Sequence, residues 1–302
     1  MADEEKEDDS KSPKVSYLEK TPRKCPVCEH EYSHEFMYTG GGRIIAGSLR
    51  NDLRRTYQDS KKYGRVNPLI YVVAVCPECC YAVFNEDFHK LDPARRDEAH
   101  LEKPNRVKYA KVIFGRDLNF EKPRDLINGA ASYFLAMTGY NFHKKNVFPT
   151  LRKGICALRC SWLLEDLVKQ TPNDHYSELI PFFLNKSKKY YTASIDLMQN
   201  GKESYEEVKT GFGPDTDTNF GYDGMLYMSA RLTASMSYLI TDPQQKVNEL
   251  IRAKRTAAKI FGMGKSSKNK PADLLEFSKE LHAEIGTYIE ELAKKFNLTV
   301  DE

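Results

Sequence analysis

The chain has 302 residues, 40% of them hydrophobic, 29% charged and 11% aromatic, with a formal net charge of +3. That is globular composition with ample material for a core, and one large or two smaller domains are expected at this length. No apolar run approaches the ~18–20 residues of a membrane span, and the opening MADEEKEDDSKSPK lacks the basic start and apolar stretch of an export signal, so a cytoplasmic protein is expected.

Residues 1–21 are polar and without periodicity, which predicts a disordered tail. The first ten carry six acids and one lysine, a local −5 against the overall +3, which leaves +8 for the rest. So mild an excess serves solubility and does not by itself specify nucleic acid. Ordered structure is expected from about Pro22, with the glycines of TGGGR marking a turn. LIYVVAV, Leu69 to Val75, is the strongest strand signal, being β-branched, aromatic and too short for a buried helix. It leads straight into Cys76, and YAVF after Cys80 reads as the returning strand of a hairpin whose turn is the cysteine pair.

Residues 86–121 are charged and broken by LDPARR and EKPNR, which predicts an irregular connector. From about residue 122 to 298 the pattern is helical. RDLINGAASYFLAMTGY is amphipathic and rich in small residues, and the next helix places Leu151, Ile155, Leu158 and Trp162 on one face. Pro181 predicts a kink or a fresh start in the third, which ends at Asn200-Gly201. Three more follow, the second opening at Asp242-Pro243 with an N-cap and proline at its first position. The expected fold is therefore α+β, mainly α: a small zinc-ribbon-like β module at 22–85 and a stack of helical hairpins. Small residues set among aromatics in KKYYTASIDLMQNG and RLTASMSYLI suit a TPR-like repeat or an irregular bundle.

Two phrases carry the clearest chemistry. CPVC (Cys25, Cys28) and CPEC (Cys76, Cys79) stand 47 residues apart, counted from Glu29 to Val75. A zinc knuckle needs two thiolates on one tight bend, and two knuckles supply the four tetrahedral ligands of a closed site. One structural Zn²⁺ per chain is the expectation, worth on the order of 10 kcal/mol to folding. An iron–sulfur cluster also takes four thiolates. A redox Cys-x-x-Cys needs a helix start that neither pair precedes. Cys80 could replace Cys79 as a ligand, and His30 and His34 are read as solvated or outer groups. Knuckles favour glycine after the second cysteine, where φ turns positive; here Glu29 and Cys80 hold those positions. Cys156 and Cys160, one turn apart on a helix, read as core.

Weaker signals lie downstream. DTDTNFGYD fails as a calcium loop, with Phe220 where glycine and Leu226 where glutamate are required. Eight basic residues against one acid occur between Lys246 and Lys270. Arg252, Arg255 and Lys259 form a stripe opposite Val247, Leu250, Ile251, Ala258 and Phe261, either a nucleic-acid contact or an ordinary wet face. GMGKSS lacks the spacing and the preceding strand of a phosphate loop. No nucleophile–base pair, paired carboxylates or dinucleotide fingerprint stands out.

CPVC, the stretch LRNDLRRTY, then NPLIYVVAVCPECCYAVF and a long helical part resemble the bacterial family called domain of unknown function 2225. The resemblance implies a zinc-ribbon-like module followed by TPR-like helices and supplies no activity. The leading expectation is a non-enzymatic scaffold with a protein or peptide partner and no membrane. The alternative is a nucleic-acid-binding protein using the cysteine module and the basic stripe.

Overall fold

The computed structural model describes residues 13–204, 211–262 and 270–298. Its β part is four antiparallel two-stranded ladders: β1 (Ser16–Leu18) with β4 (Glu35–Met37), β2 (Arg23–Lys24) with β3 (Glu31–Tyr32), β5 (Ile45–Leu49) with β6 (Arg55–Gln58), and β7 (Val73–Val75) with β8 (Ala82–Phe84). Eight α-helices follow among the described residues: α1 (Arg96–Leu101), α2 (Lys103–Phe114), α3 (Leu126–Gly139), α4 (Pro149–Gln170), α5 (Asp174–Gln199), α6 (Gly221–Ser235), α7 (Pro243–Phe261) and α8 (Ala272–Phe296). The chain is thus α+β and mainly α. None of these helices is long and apolar enough to cross a membrane.

Several expectations need correction. Residues 1–12, most of the expected tail, lie outside the described residues. Ser16–Leu18 within that stretch instead pairs with Glu35–Met37, and Tyr17 stacks on Phe36. Only the second half of LIYVVAV is a strand; Pro68–Tyr71 winds into a 3₁₀ turn, capped by the Asn67 side chain accepting from the Leu69 amide. The expected connector holds α1 and α2. EKPNR is a helix start, because proline in a first turn lacks only a donor that would be unpaired anyway. Pro181 does not divide α5, whose single helix runs through it.

The other helix signals appear as read. Asp242 caps α7 with a side-chain oxygen, and Asp125 and Asn173, which carried no earlier expectation, cap α3 and α5 in the same way. From α3 onward each helix packs chiefly on its neighbours in the chain, α3 on α4, α4 on α5, and so on to α7 on α8. α4 is buried nearly all round, with Leu151, Ile155, Cys156, Leu158, Cys160 and Trp162 inaccessible. The wet side of α7 is as expected, while its buried stripe is Val247, Leu250, Ala253, Ala257 and Ile260. Ala258 and Phe261, read as part of that stripe, are only half-buried.

One apolar core joins the two parts of the chain: Val73, Val75, Val83 and Phe84 belong to the same cluster as Tyr133, Leu135 and Trp162. α3 packs on β7 and β8. The approach is close at Gly139, where an added Cβ would stand 2.0 Å from the Ala82 carbonyl oxygen. Only glycine allows that contact.

Candidate metal centre

Each cysteine pair is the turn of a hairpin, the first between β2 and β3, the second between β7 and β8. Their backbones match bond for bond. The Cys25 amide donates to the His30 carbonyl (2.9 Å) and the Glu29 amide to the Cys25 carbonyl (3.0 Å). In the second turn Cys76 donates to Tyr81 (2.9 Å) and Cys80 to Cys76 (2.9 Å). Glu29 (φ 63°) and Cys80 (φ 55°) both take the left-handed conformation. The missing glycines therefore leave the bend intact, at a local cost of ~1–2 kcal/mol per position.

The two turns bring Cys25, Cys28, Cys76 and Cys79 together, all four sulfurs within 4.8 Å of one another. Cys25 and Cys79 Sγ are 3.7 Å apart, Cys28 and Cys76 Sγ 3.6 Å. A tetrahedral ion with metal–sulfur bonds of about 2.3 Å sets its ligands about 3.8 Å apart. The four cysteines thus form a group that could hold a metal ion. Cys80 is outside it, buried against the core, and burial pushes its thiol up to about 11.

The sulfurs interact strongly. Hydrogen bonds from Cys76 and Cys79 pull the Cys25 thiol down to about 4, and the amides of Val27 and Cys28 add to this. The same contacts hold Cys76 and Cys79 above the ordinary thiol range. A negative charge is accommodated here, and a cation would displace the remaining protons as it binds.

Three basic residues of α1 and α2 grip both turns from one side. Arg96 donates to the Val27 carbonyl (3.4 Å) and to Glu29 (2.6 Å). Lys103 pairs with Glu78. Arg106, buried, donates from Nε and Nη2 to the Cys79 carbonyl (3.2 and 3.0 Å) and from Nη1 to the Ala99 carbonyl (2.6 Å). The clamp adds positive charge beside sulfurs that would be anionic when ligated. Sequence reasoning passed over it. Arg96 stands on α1 and Lys103 and Arg106 on α2, in a stretch read as an irregular connector, and the carbonyl partners of the two arginines leave no mark in the sequence.

His34 is not solvated as expected. It is 1% exposed, edge-on to Phe36, and burial lowers it to about 2. His34 and His30 lie outside the sulfur cluster. Arg252, Arg255 and Lys259 are exposed along α7, and Arg252 pairs with Glu249 at 2.8 Å. They stand on a different element from the cysteines; Lys265 and Lys268 of the same basic stretch lie outside the described residues.

No solved structure matches the chain. It is 40% identical over 282 residues to an uncharacterized protein of Borreliella burgdorferi, an alignment covering 92% of this chain and 99% of that one. A family model described as an uncharacterized protein conserved in bacteria (DUF2225) matches residues 18–285, from β1 into α8. With the sulfur cluster and the helical part both inside that span, the chain belongs to the DUF2225 family.

Proposed function

We propose that Cys25, Cys28, Cys76 and Cys79 bind one structural Zn²⁺, and that the protein is a non-enzymatic scaffold whose helices receive a protein or peptide partner in the cytoplasm. The observation that carries the metal reading is the sulfur set itself: four thiols within 4.8 Å of one another, two pairs of them at 3.6–3.7 Å, from two matching turns. Four protein ligands close a zinc ion, leaving no position for substrate or water. The role is then to pin the first hairpin onto the second. All seven cysteines are free thiols, in keeping with a reducing compartment.

The scaffold reading is supported by helices that pack in chain order, as in TPR-like stacks, whose surfaces suit an extended peptide or a partner helix. Affinity capture from native extract, followed by mass analysis of complexes at defined stoichiometry, tests it. A partner that co-elutes with wild-type protein, and is lost when helix-surface residues are changed, is the expected result. Recovery of the chain alone across capture conditions would overturn it.

A second reading, nucleic-acid binding, draws on the exposed α7 stripe. It predicts salt-dependent mobility shifts with RNA or DNA that weaken when Arg252, Arg255 and Lys259 become alanine. No shift at low salt removes it.

A further inference from the structure

The stretch LRNDLRRTY plays no part in the metal centre, yet it carries three arginines into one place. Between the β5–β6 hairpin, the segment before Asn67 and the last turns of α4 lies a pocket of about 110 Å³. Arg50, Arg54, Arg55, Arg65 and Lys169 line it, against one carboxylate, Asp166. Drug-sized ligands need ~300 Å³ or more; this space suits a group of a few heavy atoms.

The guanidiniums are set in place from behind. Arg54 is buried, paired with Asp166 and donating to the Trp162 carbonyl (3.0 Å). Asp166 also accepts from the Asn67 amide group (2.8 Å), so its charge is spent on groups already ordered. Arg50 is held by Asp52 (2.8 Å) and Glu165 (2.9 Å), and Arg55 by Asp217 (2.7 Å). Five cations against these four carboxylates leave one net positive charge, carried by the two most loosely held cations. Arg65 is 55% exposed and no nearer than 4.0 Å to Asp166, and Lys169 makes no ion pair among the described residues. Lys169 sits in the last turn of α4, where it also offsets the negative end of the helix dipole.

We propose that this pocket binds a phosphate group, with Arg65 and Lys169 supplying the charge and the fixed edges of Arg54 and Arg55 supplying further N–H donors. Arginine's planar fork matches tetrahedral oxyanions, and donors already held in position lose little freedom on binding. The group is either free phosphate or the phosphoryl end of a small monoester. The pocket and the sulfur cluster share no residues, so the inference stands apart from the metal reading.

Calorimetric titration of the full-length, metal-replete protein with inorganic phosphate, and separately with glycerol phosphate, tests it. The expected result is saturable binding of one phosphate per chain, weakened about tenfold or more in the Arg65→Ala/Lys169→Ala double variant. Both side chains are surface-exposed, so that variant should fold normally. Changing Arg252, Arg255 and Lys259 to alanine on α7 should leave the binding as it was. Tighter binding of the inorganic ion assigns the site to free phosphate; equal or tighter binding of the ester assigns it to an attached phosphoryl group. No saturable heat with either probe would overturn the proposal. So would binding that the double variant leaves unchanged, or that the α7 variant abolishes.

Discussion

The two cysteine turns have the same backbone and different surroundings. β7 and β8, flanking the second, are buried at every position, and α3 lies across them with Gly139 against Ala82. β2 and β3, flanking the first, are two residues each, with Lys24 and Glu31 exposed and only Tyr32 buried, and Cys28 is only half-buried. One turn is held by the core, where buried aliphatic and aromatic groups each contribute ~1.5–3 kcal/mol. The other has a smaller apolar footing, Val27 and Tyr32 with Tyr32 edge-on to Phe88, and is held besides by the sulfurs and the Arg96–Glu29 contact. Identical local chemistry therefore carries unequal weight: the second turn is the firmer platform, and on the zinc reading the first is the part that gains most from an ion.

The comparison can be broken most sharply by removing the ion. After chelation, amide hydrogen exchange should rise across β1 to β4 while β7 and β8 stay protected, since loss of a structural ion withdraws on the order of 10 kcal/mol from the elements it ties together. Equal loss of protection in both hairpins would show that the second turn has no independent support.

Gly139→Ala attacks the platform instead. A methyl group 2.0 Å from the Ala82 oxygen forces α3 away from β8, and a stability loss of about 3 kcal/mol in denaturant titration is expected. An unchanged midpoint would refute the close packing. Arg106→Ala comes next. It leaves the Cys79 and Ala99 carbonyls unpaired in a buried place and should cost about 2 kcal/mol. Metal release to a competing chelator should also quicken, and unaltered release would limit Arg106 to a structural part. The smallest effect is expected at Cys80. Cys80→Ser should keep the metal content and change stability by less than about 1 kcal/mol, whereas loss of metal would make Cys80 a ligand after all.

The clustering of the four cysteines was legible because knuckle chemistry is local: two cysteines three residues apart, a proline between them and a strand delivering the second pair are all visible in one line. The left-handed positions at Glu29 and Cys80 were legible too, though neither residue favours that conformation; the hydrogen-bonded turn overrides local preference. Arg106 was hidden, since its partners are carbonyls that carry no sequence signal. His34 was read as a solvated or outer group because four cysteines already suffice as ligands, while in the fold Phe36 and the β4 ladder close over it. α1 and α2 were missed because prolines at 93 and 104 read as breaks when they stand at starts. Arg50, Arg54 and Arg55 meet Asp166 and Lys169 only after more than a hundred residues of chain, a separation no periodicity reports.

The central claim is the closed four-cysteine centre, and elemental analysis of chain purified without chelator tests it most directly, alongside serine variants at Cys25, Cys28, Cys76, Cys79 and Cys80. The account predicts about one zinc per chain, lost on replacing any of the first four and kept on replacing Cys80. Iron in its place, or a metal-free chain whose thiols oxidise in pairs, would contradict it.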